Sequence, residues 1–152
     1  MSEEPVGGGY VPIEQLDFFV DLERLCDEVW KFVERWPPFA RDSMGLQLVR
    51  AIDSAGANMV EGDARFSDKE SLHFFRIARG SAREAYFWLR RAKARNLLTE
   101  DTADDIIARF LSVCRRMNKL ISTRRAKLDT VKEAAALYIA APEPDEPDWL
   151  WP

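Results

Sequence analysis

The feature that most constrains this chain is an apolar period of three and four residues that is interrupted at regular points by helix-ending and helix-starting residues. In "LDFFVDLERLCDEVWKFVERW" the residues Phe18, Phe19, Leu22, Leu25, Cys26, Val29, Val33 and Trp36 follow that spacing, and Pro37 and Pro38 close the stretch. A second stretch, about Arg41 to Glu61, gathers Leu48, Ile52, Ala55, Gly56 and Met59 on one side. Gly62 follows it, where a left-handed cap is easiest for glycine. "SDKE" then supplies a capping box, with Ser67 as the cap and Glu70 three positions on. The third stretch runs to about Asn96 with Phe74, Phe75, Ala78, Ser81, Ala82, Ala85, Trp88, Leu89 and Ala92 on one face. Gly80 and Ser81 are poor interior helix formers and need a packing reason there. Thr99, with Glu100 and Asp101 after it, caps a fourth stretch through Ile106, Ile107, Phe110, Val113, Cys114, Met117, Leu120 and Ile121.

Four amphipathic helices with short joints predict an all-α fold, an up-and-down antiparallel four-helix bundle, because a few residues cannot carry the chain from one end of a bundle to the other. At 152 residues one core suffices. The bundle is expected over 16–127. Residues 1–15 read as a flexible, glycine-rich N-terminal arm. Residues 128–152 read as a C-terminal extension: a short extra helix capped by Asp129 or Thr130, with Val131, Ala135 and Tyr138 on one side, then an extended acidic tail, "PEPDEPDWLWP". No apolar run approaches a membrane span, and the start "MSEEPVGGGYVP" is acidic rather than leader-like. The expected setting is cytoplasmic, with no membrane contact.

Charge is unevenly placed. Residues 1–66 carry 6 basic and 13 acidic groups, 67–127 carry 15 and 7, and 128–152 carry 1 and 6. A basic middle between acidic ends points to a polyanion-binding surface or to docking of acidic parts onto basic ones.

Little in the chain carries reaction chemistry. Cys26 and Cys114 stand far apart on apolar helix faces, as small buried hydrophobes in a reducing compartment do. His73 is the only histidine, so Ser/His or Cys/His catalysis has no second anchor. Glu70 and His73 match the Glu-x-x-His spacing of diiron bundles once, where two copies are required. Phosphate-binding glycine loops are absent. We therefore expect no catalytic residues, no metal ligands, no cofactor and no enzymatic activity.

The stretch from Gly45 to Leu89 resembles the 23S rRNA-intervening sequence proteins, a family of bacterial four-helix bundles. The likeness rests on Gln47 and Arg50 before a small-residue run, then Asn58, Glu61 and Gly62, then Arg65 and Ser67, and finally Ala78, Gly80, Ser81 and Glu84. It spans about Phe18 to Ile121. The resemblance implies a homopentamer with no established catalytic activity, and retroelement-associated relatives imply binding of nucleic acid and a reverse transcriptase. This chain departs from those basic relatives in being net acidic, at −4.

Three candidate surfaces follow. Gln47, Arg50, Ser54, Asn58 and Glu61 fall in a stripe about 80° wide on the second helix. With Ser81 and Glu84 they form either a solvated face, a structural or intersubunit polar network, or, least favoured, a catalytic carboxylate pair. Arg76, Arg79, Arg83 and Arg90 lie in a band about 60° wide on the outer side of the third helix, with Tyr86 and Phe87 at its edges. That band suits solvent, an acidic protein partner including another copy of the chain, or nucleic acid. Trp149, Leu150 and Trp151 in the acidic tail are candidates for docking onto such arginines. The expected role is an oligomeric interaction scaffold, with a nucleic-acid-binding accessory protein as the alternative.

Overall fold

Four long helices form where the apolar period places them: α1 (Asp17–Glu34), α2 (Leu46–Asp63), α3 (Asp68–Ala94) and α4 (Glu100–Ala136). They come from a computed structural model that describes residues 10–136. No strand occurs among the described residues. Helices adjacent in sequence pack side by side, and α4 returns to α1, so the four surround one core in cyclic order. The short joints 64–67 and 95–99 fold α2 to α4 back and forth.

Leu22, Ile52, Met59, Phe75, Phe110 and Met117 are fully buried and contribute from all four helices. Burying a side chain such as Phe75 or Phe110 stabilises the fold by roughly 1.5–3 kcal/mol. The α2–α3 pair is built for close approach, since Ala51, Ala55 and Gly62 on one helix and Ala78, Ala82 and Ala85 on the other are all buried.

The helix ends follow local chemistry. Ser67 Oγ accepts the Glu70 N–H at 3.4 Å, which is half of the expected capping box. Thr99 Oγ1 accepts the Thr102 N–H at 3.3 Å. At the end of α3, Asn96 adopts φ 54° while Leu97 N–H reaches Ala92 O and Asn96 N–H reaches Lys93 O, each at 3.0 Å. That is a Schellman cap, with asparagine in the position usually held by glycine.

Four expectations need correction. Gly62 is not a left-handed cap: it is buried inside α2, and a Cβ there would lie 2.7 Å from the Phe75 ring and 3.0 Å from Ser71 O. Its role is to let α3 approach. The second helical segment does not begin at Arg41, because Pro38–Ala40 already forms a helical turn and Arg41–Gly45 a π-helical turn leading into α2. No separate C-terminal helix starts at Asp129 or Thr130. α4 runs on to Ala136, and Thr130 Oγ1 donates back to Ala126 O at 2.9 Å as an interior residue does. Finally, the N-terminal arm is held over its last residues: Ile13–Gln15 forms a 3-10 turn and Ile13 is buried in the core.

Candidate functional site

Three of the five arginines of α4 are engaged with other helices of the bundle. Arg109 Nη2 lies 2.9 Å from Glu28 on α1 and also pairs with Asp105. Arg116 Nη2 lies 2.6 Å from Asp21 on α1. Arg124 Nη2 lies 3.4 Å from Asp63, whose side chain is only 5% exposed. Asp63 also accepts the Tyr10 hydroxyl at 2.5 Å and the Ile13 N–H at 3.0 Å. One carboxylate thus joins the N-terminal segment, the end of α2 and α4, and its hydrogen bond holds the Tyr10 hydroxyl above its ordinary pKa. Part of the charge asymmetry in the sequence is satisfied by these pairs.

The arginines of α3 sit differently. Arg76, Arg83 and Arg90 are exposed and Arg79 is half-buried. Among the described residues Arg79 and Arg83 make no ion pair, whereas Arg90 lies over the Tyr86 ring at 5.7 Å and Arg91 over Phe87 at 5.9 Å. Arg76, Gly80, Arg83 and Phe87 are spaced as a single outward stripe. Phe87 is 52% exposed and Ile77 39%. Gly80 is exposed, and a Cβ built on it would meet nothing within 4 Å. Ser81 has a packing reason, a 3.0 Å contact with Ser54, but Gly80 has none among the described residues.

That contact places the polar stripe of α2 along its seam with α3. Asn58 Nδ2 donates to Ser54 O at 2.8 Å and to Ser54 Oγ at 3.0 Å, so Asn58, Ser54 and Ser81 form one bridge across the pair. Glu61 pairs with Arg65, whose guanidinium stacks 4.6 Å from the Phe74 ring centroid. Glu84 accepts the Trp88 indole N–H at 3.3 Å. Gln47 and Arg50 are exposed. The structure therefore joins Asn58 to Ser81 and leaves Gln47, Arg50, Glu61 and Glu84 outside that bridge.

Sequence reading misses a groove of about 520 Å³ between α1 and α2. Phe19, Leu22 and Val60 form its apolar floor, Gly56 and Ala57 keep it open, and Glu23, Asp27 and Asp53 stand around it. Burial and the nearby Asp27 hold the Asp53 carboxyl above the usual carboxylate range, against a hydrogen bond from Cys26 that acts the other way. Burial, reinforced by Asp53, pushes the Cys26 thiol far up. Cys114 is pushed up to about 12 by burial. Both thiols are neutral at physiological pH and not nucleophilic. The signal was present as Glu23 and Asp27, one helical turn apart, but nothing in the pattern brings Asp53 to them.

His73 is exposed and meets Phe74 edge-on at 5.7 Å. Among the described residues no cluster of three or more His, Cys, Asp or Glu side chains is placed to hold a metal ion, and no helix is long and apolar enough to cross a membrane. Trp149, Leu150 and Trp151 lie outside the described residues.

The chain matches a solved structure from Bacteroides thetaiotaomicron VPI-5482, a protein of unknown function from the S23 ribosomal protein family. The TM-score is 0.60 at 17% identity, over 68% of this chain and 97% of that one. At that identity the likeness shows the fold alone. No curated protein matches the chain. The model of the 23S rRNA-intervening sequence protein family matches residues 14–119, which takes in α1, α2, α3 and half of α4. The chain belongs to the 23S rRNA-intervening sequence protein family.

Proposed function

We propose that this protein is a non-enzymatic, homo-oligomeric interaction scaffold whose contact surface includes the outer face of α3. The observation that carries this reading is Gly80. An exposed glycine inside a long helix costs about 1 kcal/mol relative to alanine. Among the described residues nothing comes within 4 Å of where the missing Cβ would be. A glycine in that place serves a helix that approaches from another molecule. The exposed Phe87 and Ile77 on the same side of the bundle add apolar area for such a contact. Family resemblance implies five copies.

Size-exclusion chromatography with light scattering tests the reading. Assembly into a closed ring of five gives about 88 kDa, five times the 17.5 kDa chain, while a single 17.5 kDa species at micromolar concentration overturns it.

A second reading is favoured by Arg79, Arg83 and Arg90 lying beside Tyr86 and Phe87, a combination that contacts phosphates and stacks on unpaired bases. The family name points to an rRNA context. Titration of labelled single-stranded RNA across a salt series checks it: phosphate contacts give a steep loss of affinity with salt. Flat, weak binding at low salt removes this alternative.

A further inference from the structure

We infer that the α1–α2 groove of one copy receives the α3 face of the next, with Glu23, Asp27 and Asp53 of the groove meeting Arg79, Arg83 and Arg90. This rests on the homo-oligomeric reading and adds to it the surface that α3 contacts.

The two surfaces match in charge, shape and place. The groove gathers three carboxylates and, among the described residues, Asp53 has no cation to pair with. α3 presents the opposite charge in Arg79 and Arg83, which make no ion pair among the described residues. A guanidinium pairs with a carboxylate more firmly than an ammonium does, because its planar fork donates two parallel hydrogen bonds. The floor of Phe19, Leu22 and Val60 is apolar, and α3 offers the half-exposed Phe87 beside its arginines. Gly56 and Ala57 lower the groove wall, and Gly80 lowers the ridge that enters it, so two helix surfaces can approach without a bulky side chain between them.

Location supplies the remaining argument. In the cyclic order of the bundle α3 lies diagonally across from α1. The groove and the arginine face therefore occupy different sides of one copy, and each copy uses both at once. Such a contact is heterologous, joining unlike patches head to tail, and it closes into a ring when the rotation between copies permits. Nucleic acid competes for the arginine face but not for the groove, whose carboxylates repel phosphate.

Charge reversal in the full-length chain tests the pairing. Asp53→Arg and Arg83→Glu each place like charges in contact and weaken assembly by about tenfold or more in a dilution series followed by light scattering. The two substitutions combined in one chain restore opposite charges at every contact, and assembly recovers. Single variants that assemble like the wild type overturn the groove assignment while leaving the oligomeric reading intact. Loss in both singles without recovery in the double variant overturns the pairing of these two residues. A wild-type protein that is monomeric overturns the oligomeric reading and this inference with it. As a second probe, Gly80→Leu fills the flat spot. It blocks assembly while the helical circular dichroism of the dissociated chain stays unchanged, and an intact oligomer in that variant removes α3 from the contact.

Discussion

α3 and α4 carry five arginines each, yet only α4 uses several of them to reach other helices of the bundle. On α4, Arg109, Arg116 and Arg124 reach carboxylates of α1 and α2 and hold three helices together. On α3, Arg83 stands in solvent beside an exposed phenylalanine and an exposed glycine. The composition of the two helices does not distinguish these roles. What differs is the neighbour: α4 lies beside α1, which is rich in acids, while the outward side of α3 faces no other helix among the described residues. An arginine-rich helix is therefore evidence for an external partner only after its internal partners have been accounted for.

The sharpest way to break this contrast is at Asp63. Asp63→Ala removes the acceptor of Arg124, Tyr10 and the Ile13 N–H together and lowers stability by about 2 kcal/mol, read from urea unfolding midpoints. A loss below about 0.5 kcal/mol shows the junction to be incidental. Arg116→Ala is expected to cost about 1 kcal/mol, since the pair with Asp21 is about 40% exposed on both sides and solvent screens it. Gly80→Ala acts in the other direction: the dissociated chain gains up to about 1 kcal/mol from helix propensity, while assembly weakens. Arg83→Ala is expected to change unfolding by less than about 0.5 kcal/mol and to alter only association. An Arg83 variant that unfolds as readily as the Arg116 variant erases the distinction between the two helices. The smallest effect is a null one. With both thiols held neutral by burial, iodoacetamide at pH 8 labels the native protein slowly and labels Cys26 and Cys114 at the ordinary rate only after unfolding.

Much of the architecture is legible in the sequence because it is local. Apolar spacing, the proline pair, Ser67 and Thr99 each act within one or two turns, and the helices begin and end close to where they indicate. Long-range features are not legible in the same way. Gly62 satisfies the local rule for a cap, but the Phe75 ring, thirteen positions on, decides that it is a contact glycine instead. Asn96 takes the left-handed position without glycine to announce it. Thr130 matches a cap by type, yet no break precedes it and the helix continues through. In the candidate site, helical spacing alone gathers the arginine stripe of α3, while the groove requires α1 and α2 to be placed against each other before Asp53 can join Glu23 and Asp27. Asp63 is the clearest case, since its three partners come from two distant parts of the chain.

α4 is ten residues longer than α3, and its positions 129–134 are all exposed. At 1.5 Å per residue those six positions make about 9 Å of bare rod standing proud of the bundle. In the proposed oligomer, rotational symmetry would set these rods on the same rim of a ring, like posts of a crown, and give the particle a top unlike its bottom. A partner arriving from above would then meet several identical posts at once, so even a weak grip on each would add up to a firm hold.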